Sequence, residues 1–555
     1  MGRKNKKDGF ILQAGILAAA GIIVRIIGIL YRSPLVAIIG DEGNGYYNTA
    51  YTIYTIILLV SSYSIPSAVS KVIAAKLAKE EYRNAHKIFM GAFYYVILVG
   101  GLASLACFFF AGNMVGESSA RVLKVFSPTI FLSGLLGVLR GYFQAHRSMI
   151  QTSFSQILEQ ILNAMVSIGA AYGLMGLVVT EDETTQAIYG AMGSAMGTGA
   201  GVLSALLFMM AVYLLNRKMF IRRRKRDRTA TEMSYGQVFR LIIGMVTPVL
   251  LSTCIYNLSG ATNLKIYCGI VESLKGYTEA EATTYYGLFS GKANQITNIP
   301  IALATAMSSA IIPSIAGSFE QKDKKGCRKK IGSAIKTTML ISIPAAVGLV
   351  VLAESVVYVL YPQRDTLGTV SALLRVLAIS VVFYALSTLS NGVLQGTGYV
   401  NRPVIHAALS LVLQTLLLVV LLLCTELDLL ALSMAAVCYS FFMCLLNGLC
   451  MRKKIGYRQE IKKTFVIPFA ASVPMGVVAW LVHRGIIGLF TFSEADLVGR
   501  YWFCNLLALS MAVLAAIPVY FGLVIKLGGV SRKELEAIPG GRTITGIVKK
   551  LHLLA

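Results

Sequence analysis

The chain has 555 residues, of which 56% are hydrophobic and only 14% are charged, and its mean hydropathy is +0.69. Soluble domains carry roughly 25% charged residues, so this composition excludes a soluble protein, and it also excludes intrinsic disorder. Lys and Arg number 51 against 26 Asp and Glu, giving a formal net charge of +25. The apolar excess predicts a protein that faces lipid, in which basic loops are the usual source of positive charge.

Apolar stretches long enough to cross a bilayer run along the whole chain. Such a helix needs about 20 mostly apolar residues. The first stretch resembles a signal peptide, but its apolar run continues to Leu30 and more spans come after it, so we expect an uncleaved first helix. Fourteen spans are predicted, at residues 10–31, 46–69, 89–111, 122–143, 152–176, 187–215, 237–263, 284–317, 335–360, 368–395, 403–424, 429–450, 464–484 and 503–526.

The connecting loops alternate in charge. With the N-terminus in the cytoplasm, the even-numbered loops are basic, as at residues 222–226 and 452–454, and the odd-numbered loops are acidic, as at 41–42 and 181–183. Basic cytoplasmic loops orient membrane proteins, so we expect both termini to be cytoplasmic. Because the basic clusters are scattered, they exclude nucleic acid as a partner and favour attraction to anionic membrane lipids.

Two short motifs recur within the chain. Residues 139–141 with Arg147 match residues 394–396 with Arg402 at a constant offset, and residues 65–67 resemble 312–314. Both matches place span n opposite span n+6, which indicates a parallel repeat of two six-helix halves. A shared composition of positions where helices enter loops is the alternative explanation.

The repeat predicts the domain organisation. We expect an all-α polytopic membrane protein with two pseudo-symmetric six-helix lobes, a pair of added helices and a basic cytoplasmic tail. Two such lobes would enclose a cavity that opens to each side of the membrane in turn. The predicted segments are residues 1–225 for the first lobe, 226–460 for the second, 461–530 for spans thirteen and fourteen, and 531–555 for the tail.

Four cationic side chains fall within predicted spans, where a charge is costly and usually faces the bundle interior or water. Arg25 and Lys292 lie about two turns or more from a span end, which favours a substrate-binding role in a cationic cavity. Arg32 and Arg375 lie nearer the interface. For these two, snorkelling towards water, or pairing of Arg375 with Glu354, competes with ligand contact.

The eighth span combines this lysine with polar amides. At 100° per residue, Asn294, Gln295 and Asn298 share a face with Gly291, and Lys292 lies at its edge. Amides beside an ammonium group suit a ligand with sugar hydroxyls and a phosphate. Hydrogen bonds between helices would use the same residues, so both interpretations stay open.

Glu159 is the deepest acidic residue, in the fifth span, and Gln414 occupies its position in the repeat. It could bind a coupling cation, form a gating salt bridge with an arginine, or accept a hydrogen bond while protonated. The five histidines have no metal-ligand spacing, and the sequence has no nucleotide-binding loop. We therefore expect neither an enzyme nor a cofactor or metal site, and energy from an ion gradient, the membrane potential or mass action.

A collinear set of motifs resembles one known family. The motifs are Arg25-Ile-Ile-Gly28, Tyr31-Arg32-Ser-Pro34-Leu35, Gly40-Asp-Glu-Gly43, Ile65-Pro66-Ser-Ala68, Glu159-Gln160, Tyr286-Gly287 with Asn298-Ile-Pro300, and Ser390-Asn391-Gly392. They are similar to the stage V sporulation protein B and polysaccharide-exporter branch of the multidrug/oligosaccharidyl-lipid/polysaccharide (MOP) flippase superfamily. That branch includes MurJ-like lipid II flippases.

The resemblance implies a bacterial cytoplasmic membrane protein with fourteen helices, a cationic central cavity and export of an undecaprenyl-diphosphate-linked saccharide for the cell wall. Arg25 matches the arginine that the family carries before the first-span glycine. Asn294, Gln295 and Asn298 depart from the Asp-Arg and Glu that lipid II flippases carry in the eighth span. We expect Lys292, one turn away, to replace the missing positive charge.

The sequence supports three functional hypotheses. The first is a monomeric flippase for a polyprenyl-diphosphate-linked oligosaccharide, working by alternating access. The second is a cation-coupled drug antiporter of the same superfamily, which needs acids in the cavity, where Glu159 is the one good candidate. The third is a non-transporting scaffold for cell-wall synthases, which would be protein partners.

Overall fold

The computed structural model describes residues 2–63, 65–146, 148–178, 182–225, 227, 232–490 and 499–530. This part of the chain is almost entirely helical and contains no strand, so the predicted all-α fold is confirmed. The basic tail expected at 531–555 lies outside the described residues. The chain divides into two compact units, Met1–Gly287 and Leu288–Ala555.

Unit 1 is built from ten α-helices within its described residues. A π-helical turn at Leu59–Tyr63 precedes the second helix, and another at Val96–Gly100 joins the third to the fourth. The helices are α1 Gly2–Leu58, α2 Ile65–Ala78, α3 Tyr82–Tyr95, α4 Gly101–Phe109, α5 Ala111–Met114, α6 Glu117–Ala145, α7 Met149–Leu177, α8 Glu183–Lys225, α9 Tyr235–Lys275 and α10 Glu279–Gly287.

Unit 2 contains eight α-helices within its described residues. It opens with a π-helical turn at Leu288–Ala293, and a further turn at Lys462–Val466 precedes its seventh helix. The helices are α11 Asn294–Glu320, α12 Lys324–Val351, α13 Ala353–Leu360, α14 Leu367–Gly396, α15 Asn401–Cys424, α16 Leu429–Ile455, α17 Ile467–Gly488 and α18 Arg500–Lys526.

Helix α1 joins the first two predicted spans without a loop. Residues 32–45, expected to form the connection, are helical except at Gly40, which has φ 69° and ψ −178°. Only glycine adopts such a φ without a steric penalty from a Cβ atom. The chain therefore turns at one residue and continues as helix, which corrects the predicted loop.

Eleven helical segments within the described residues are long and apolar enough to cross a membrane. The expected spans at 237–263 and 284–317 fall in α9 and α10–α11, which include side chains outside the description. Helix α8 continues to Lys225, through residues that were expected to be a loop, because basic residues extend a helix readily. The multi-pass architecture is confirmed, and the count of fourteen stays a prediction.

Helix α15 displays the surface expected for a protein in lipid. Its outward side chains are apolar, as at Val412 and Leu416, which are 57% and 58% exposed. Its inward face carries Ser410 and Gln414, both fully buried. A soluble protein places these residue types the other way round, so this helix is suited to a hydrocarbon environment.

The interior of unit 1 is an aliphatic and aromatic core shared by α2, α3, α6 and α8, in which Phe89 and Tyr142 have ring centroids 4.2 Å apart. Unit 2 has one core among α12, α14 and α16, around Leu389, and another where α17 and α18 pack on α12. Each unit thus has its own packed interior. This packing fixes the positions of the helices that carry the polar residues.

Glycines at equivalent repeat positions mediate the same helix contact in each unit. In unit 1, Gly137 and Gly141 of α6 face Pro66 of α2. In unit 2, Gly392 and Gly396 of α14 face Ile312 of α11. Small residues let membrane helices approach closely. The shared contact supports the repeat found in the sequence, while the predicted lobe boundary at 225/226 stays a prediction.

Candidate functional site

Two arginines lie on one side of α1 in unit 1. Arg25 and Arg32 are seven residues apart, or about 10 Å along a helix, which places them on the same face. The Arg25 side chain is exposed, and it forms no hydrogen bond or ion pair within the described residues. Arg25 is therefore available to a ligand, whereas its role stays a prediction.

Arg32 lies over tyrosine rings. Its Cζ atom is 5.8 Å from the ring centroid of Tyr47 and 6.0 Å from that of Tyr51. These distances allow attraction between the guanidinium group and the ring faces. The rings pack in turn around Phe126, whose centroid is 5.5 Å from Tyr47 and 4.7 Å from Tyr54. Tyr47, Tyr51 and Tyr54 thus pack around Phe126, and the first two also contact the Arg32 side chain.

Glu159 forms an ion pair with Arg140, a residue that the sequence analysis singled out only as part of the repeat. Arg140 Nη2 of α6 lies 2.7 Å from Glu159 Oε2 of α7, and Arg140 Nε donates to Ser155 Oγ at 2.9 Å. The two side chains are 14% and 29% exposed. The structure thus contains a salt bridge between Glu159 and an arginine, and its gating role stays a prediction.

Lys292 is completely buried in unit 2, in the π-helical turn before α11. Its ammonium group donates to Gln363 Oε1 and to Thr366 Oγ1, the latter at 3.1 Å. It also lies 5.8 Å from the centroid of the Tyr361 ring. Residues 361–366 connect α13 to α14, so these contacts fix that connection against the start of α11.

The residues of the polar face expected on the eighth span differ in burial. Asn298 is exposed, Asn294 and Gln295 are half-buried, and Lys292 is buried. Lys292 lies near the end of a π-helical turn, and the three amides lie at the start of α11. A shared face with Lys292 at its edge stays a prediction.

Arg375 lies on α14 and is exposed, and so is Glu354. No ion pair joins the two within the described residues, so the proposed pairing with Glu354 does not occur. Exposure is compatible with snorkelling, and a substrate-binding role for Arg375 stays a prediction.

A buried polar network in unit 2 escaped the sequence analysis. His406 Nδ1 lies 2.7 Å from Asn447 Oδ1, and Asn447 Nδ2 donates to Ser390 Oγ and to Asn391 Oδ1. The network joins α14, α15 and α16. Ser390-Asn391 belonged to the family-like motifs, so that dipeptide was the available signal, but its partners come from distant helices.

Comparison with known proteins decides the family. The family model described as lipid II flippase MurJ matches residues 74–495, which is well over half of the chain. The chain belongs to the MurJ family. The resemblance found in the sequence is thereby confirmed, and the protein is a multi-pass membrane transporter of the MOP superfamily.

Two relatives from Bacillus subtilis (strain 168) align along nearly the whole chain. Stage V sporulation protein B is 24% identical over 96% of this chain and 98% of its own length. Lipid II flippase MurJ is 23% identical over 95% of this chain and 96% of its own length. The alignment therefore includes both units.

Solved structures show the same fold. An inward closed conformation of lipid II flippase MurJ covers 91% of this chain and 98% of its own, with a TM-score of 0.63 and 13% identity. An inward-facing multidrug transporter of the MATE family covers 80% and 98%, with a TM-score of 0.64 and 16% identity. The MurJ-like architecture that the resemblance implied is confirmed, and the MATE structure shares this fold.

Proposed function

We propose that this protein moves an undecaprenyl-diphosphate-linked saccharide from the inner to the outer leaflet of the bacterial cytoplasmic membrane by alternating access. Membership of the MurJ family supports this substrate class. The saccharide and diphosphate would pass through the protein while the lipid tail stays in the bilayer. The basic loops support an orientation with both termini in the cytoplasm.

The exposed Arg25 side chain carries the proposal. A cation on a membrane helix is expensive unless it has a partner or a task, and Arg25 has no acidic partner within the described residues. The guanidinium group forms two parallel hydrogen bonds with phosphate oxygens. Arg25, with Arg32 two turns away on the same face, thus offers charge that offsets the desolvation of a diphosphate.

The drug-antiporter hypothesis is disfavoured by the state of Glu159. Coupling to a proton or sodium ion needs a carboxylate that can exchange its cation, and this one is occupied by Arg140 at 2.7 Å. The likeness to MATE structures concerns the fold alone. The scaffold hypothesis makes a different prediction, because a scaffold without transport moves no lipid in isolation.

Leaflet exchange in vesicles tests the proposal. The purified chain is reconstituted alone with a fluorescent polyprenyl-diphosphate saccharide, and the rate at which the label crosses the bilayer is measured. We expect exchange by the wild type and a rate at least about tenfold lower for Arg25→Ala, because a charge-assisted hydrogen bond to the phosphate is lost. Arg25→Lys should retain part of the rate.

Lys71→Ala is the matched control, because Lys71 is an exposed cation of unit 1 on α2. It should leave the rate unchanged. No exchange by the folded wild type would support a scaffold instead of a flippase. An unaltered rate in the Arg25→Ala, Arg32→Ala double variant would show that these arginines are not the binding site.

A further inference from the structure

Two arginines and two histidines line a small cavity in unit 1, away from Arg25. His86 comes from α3, His146 comes directly after α6, and Arg223 and Arg224 lie in the last turn of α8. The cavity volume is about 10 Å³, which is room for one water-sized group. An oxygen atom of a larger molecule fits this space while the rest of that molecule stays outside.

One arginine that lines the cavity carries a buried hydrogen-bond donor. Arg224 Nε is buried, and no hydrogen-bond partner for it exists among the described residues. An unpaired buried donor destabilises the protein, and more strongly when it is charged. An acceptor that reached this donor would remove the destabilisation.

The nearby acids have other partners. Glu81 pairs with Lys76 at 2.7 Å, and Glu232 lies 3.5 Å from Arg83 and 3.7 Å from Lys87. Asp227, three residues after Arg224, accepts the backbone N–H of Arg83 at 2.6 Å.

The two arginines and two histidines that line the cavity form no ion pair within the described part of the chain. An anion from outside would therefore give Arg223 and Arg224 a charged partner.

The histidines fit the same interpretation. His146 Nδ1 lies 2.9 Å from the carbonyl oxygen of Tyr142, so this nitrogen carries a proton and donates it. Burial lowers the pKa of the His146 imidazole; the hydrogen bond to Tyr142 raises it in part, and the charge of Arg223 lowers it. A bound anion would oppose the two lowering effects by stabilising the imidazolium form.

We propose that this cavity is a phosphate-binding site that takes one anionic oxygen of a phosphate group on Arg224 Nε. Arg223 supplies further positive charge at the mouth. Two sources offer this chemistry: the head group of an anionic lipid at the membrane surface, and free inorganic phosphate. The site is separate from the proposed transport site on α1 and does not depend on it.

The test uses the full chain in neutral detergent. Inorganic phosphate is titrated against sodium chloride at equal ionic strength, and the midpoint of thermal unfolding is monitored. In a second arm, the chain is placed in phosphatidylcholine nanodiscs with or without phosphatidic acid, and retained lipid is counted by native mass spectrometry. We expect binding in at least one arm, and about tenfold weaker binding in Arg224→Gln.

Arg222→Gln is the matched control, because Arg222 is an exposed neighbour that does not line the cavity. It removes the same charge and should leave the affinity within about twofold. Circular dichroism and gel filtration verify that both variants fold. Binding only to phosphatidic acid would identify a lipid head group, and binding in the first arm would identify free phosphate. Equal losses in the two variants, or no binding in either arm, would overturn the proposal.

Discussion

The two units repeat the same glycine contacts but not the same charges. In unit 1, α6 and α7 are joined by the ion pair between Arg140 and Glu159. At the equivalent positions of unit 2, Gln395 of α14 is exposed and Gln414 of α15 is fully buried. The repeat therefore preserves how helices pack, while the ionisable groups differ between its copies.

This difference separates two kinds of constraint on the sequence. Close packing of two helices needs small side chains, and glycine provides them in either unit. A charged side chain inside a membrane protein is costly unless it has a partner or a ligand. The difference in charge between the units is therefore the better guide to function, and variants in both units test this comparison.

The largest effect is expected for Gly141→Ala. A Cβ atom there would lie 2.7 Å from the backbone oxygen of Pro66, whereas at Gly396 the nearest atom would be the Ile312 side-chain Cγ2, at 3.0 Å. Backbone cannot move aside, so Gly141→Ala should lower the free energy of unfolding by up to about 3 kcal/mol. Gly396→Ala should lower it much less, because the Ile312 side chain can shift. Thermal unfolding in detergent measures both.

Gly169→Ala on α7 is the control for helix propensity, because its Cβ would meet open space. Gly169→Ala should leave the free energy of unfolding unchanged or raise it by about 0.5–1 kcal/mol. Equal destabilisation by Gly141→Ala and Gly396→Ala would show that the contacts in the two units are equally rigid, contrary to the comparison.

A smaller loss of stability is expected when the ion pair of unit 1 is replaced by the glutamines found in unit 2. Arg140→Gln or Glu159→Gln alone should lower the free energy of unfolding by about 1–2 kcal/mol. This value lies between those for exposed and buried ion pairs, because both side chains are partly exposed. The double variant should recover part of this cost, since it leaves no unpaired charge. A double-mutant cycle of unfolding midpoints measures the coupling, and strictly additive effects would contradict it.

The smallest effect, about 1 kcal/mol, is expected for Lys292→Met in unit 2. The variant keeps the length of the side chain but removes the donor to Gln363 and Thr366. Stability should fall while the rate of lipid exchange stays near normal, the reverse of Arg25→Ala. Lys71→Met, on an exposed side chain, should change stability by less than about 0.5 kcal/mol. Loss of exchange in folded Lys292→Met would assign Lys292 to transport.

Hydropathy predicted much of the fold. The spans expected at 368–395 and 403–424 end within two residues of α14 and α15, because twenty apolar residues in a row have few alternatives to a membrane helix. The loop expected at 32–45 was wrong, since the positive φ of Gly40 permits a turn at one residue. Hydropathy does not report such a backbone feature.

The candidate site was less accessible to sequence reasoning. Arg25 could be singled out because a charge in an apolar run is conspicuous. The partner of Glu159 depends on which faces of α6 and α7 meet, and the partners of Lys292 lie in a connection 71 and 74 residues further along the chain. The sequence pattern also gave no sign of the π-helical turn at Leu288–Ala293, which contains Lys292.

That π-helical turn also sets how the segment responds to a deletion. A π-helical turn takes up one more residue than an α-helical turn, so removing one residue between Leu288 and Ala293 should restore an ordinary α-helix. The helix after it would keep nearly the same direction, and Asn294, Gln295 and Asn298 would stay on their present side. A single-residue gap in this segment of a relative is thus compatible with the same placement of these side chains.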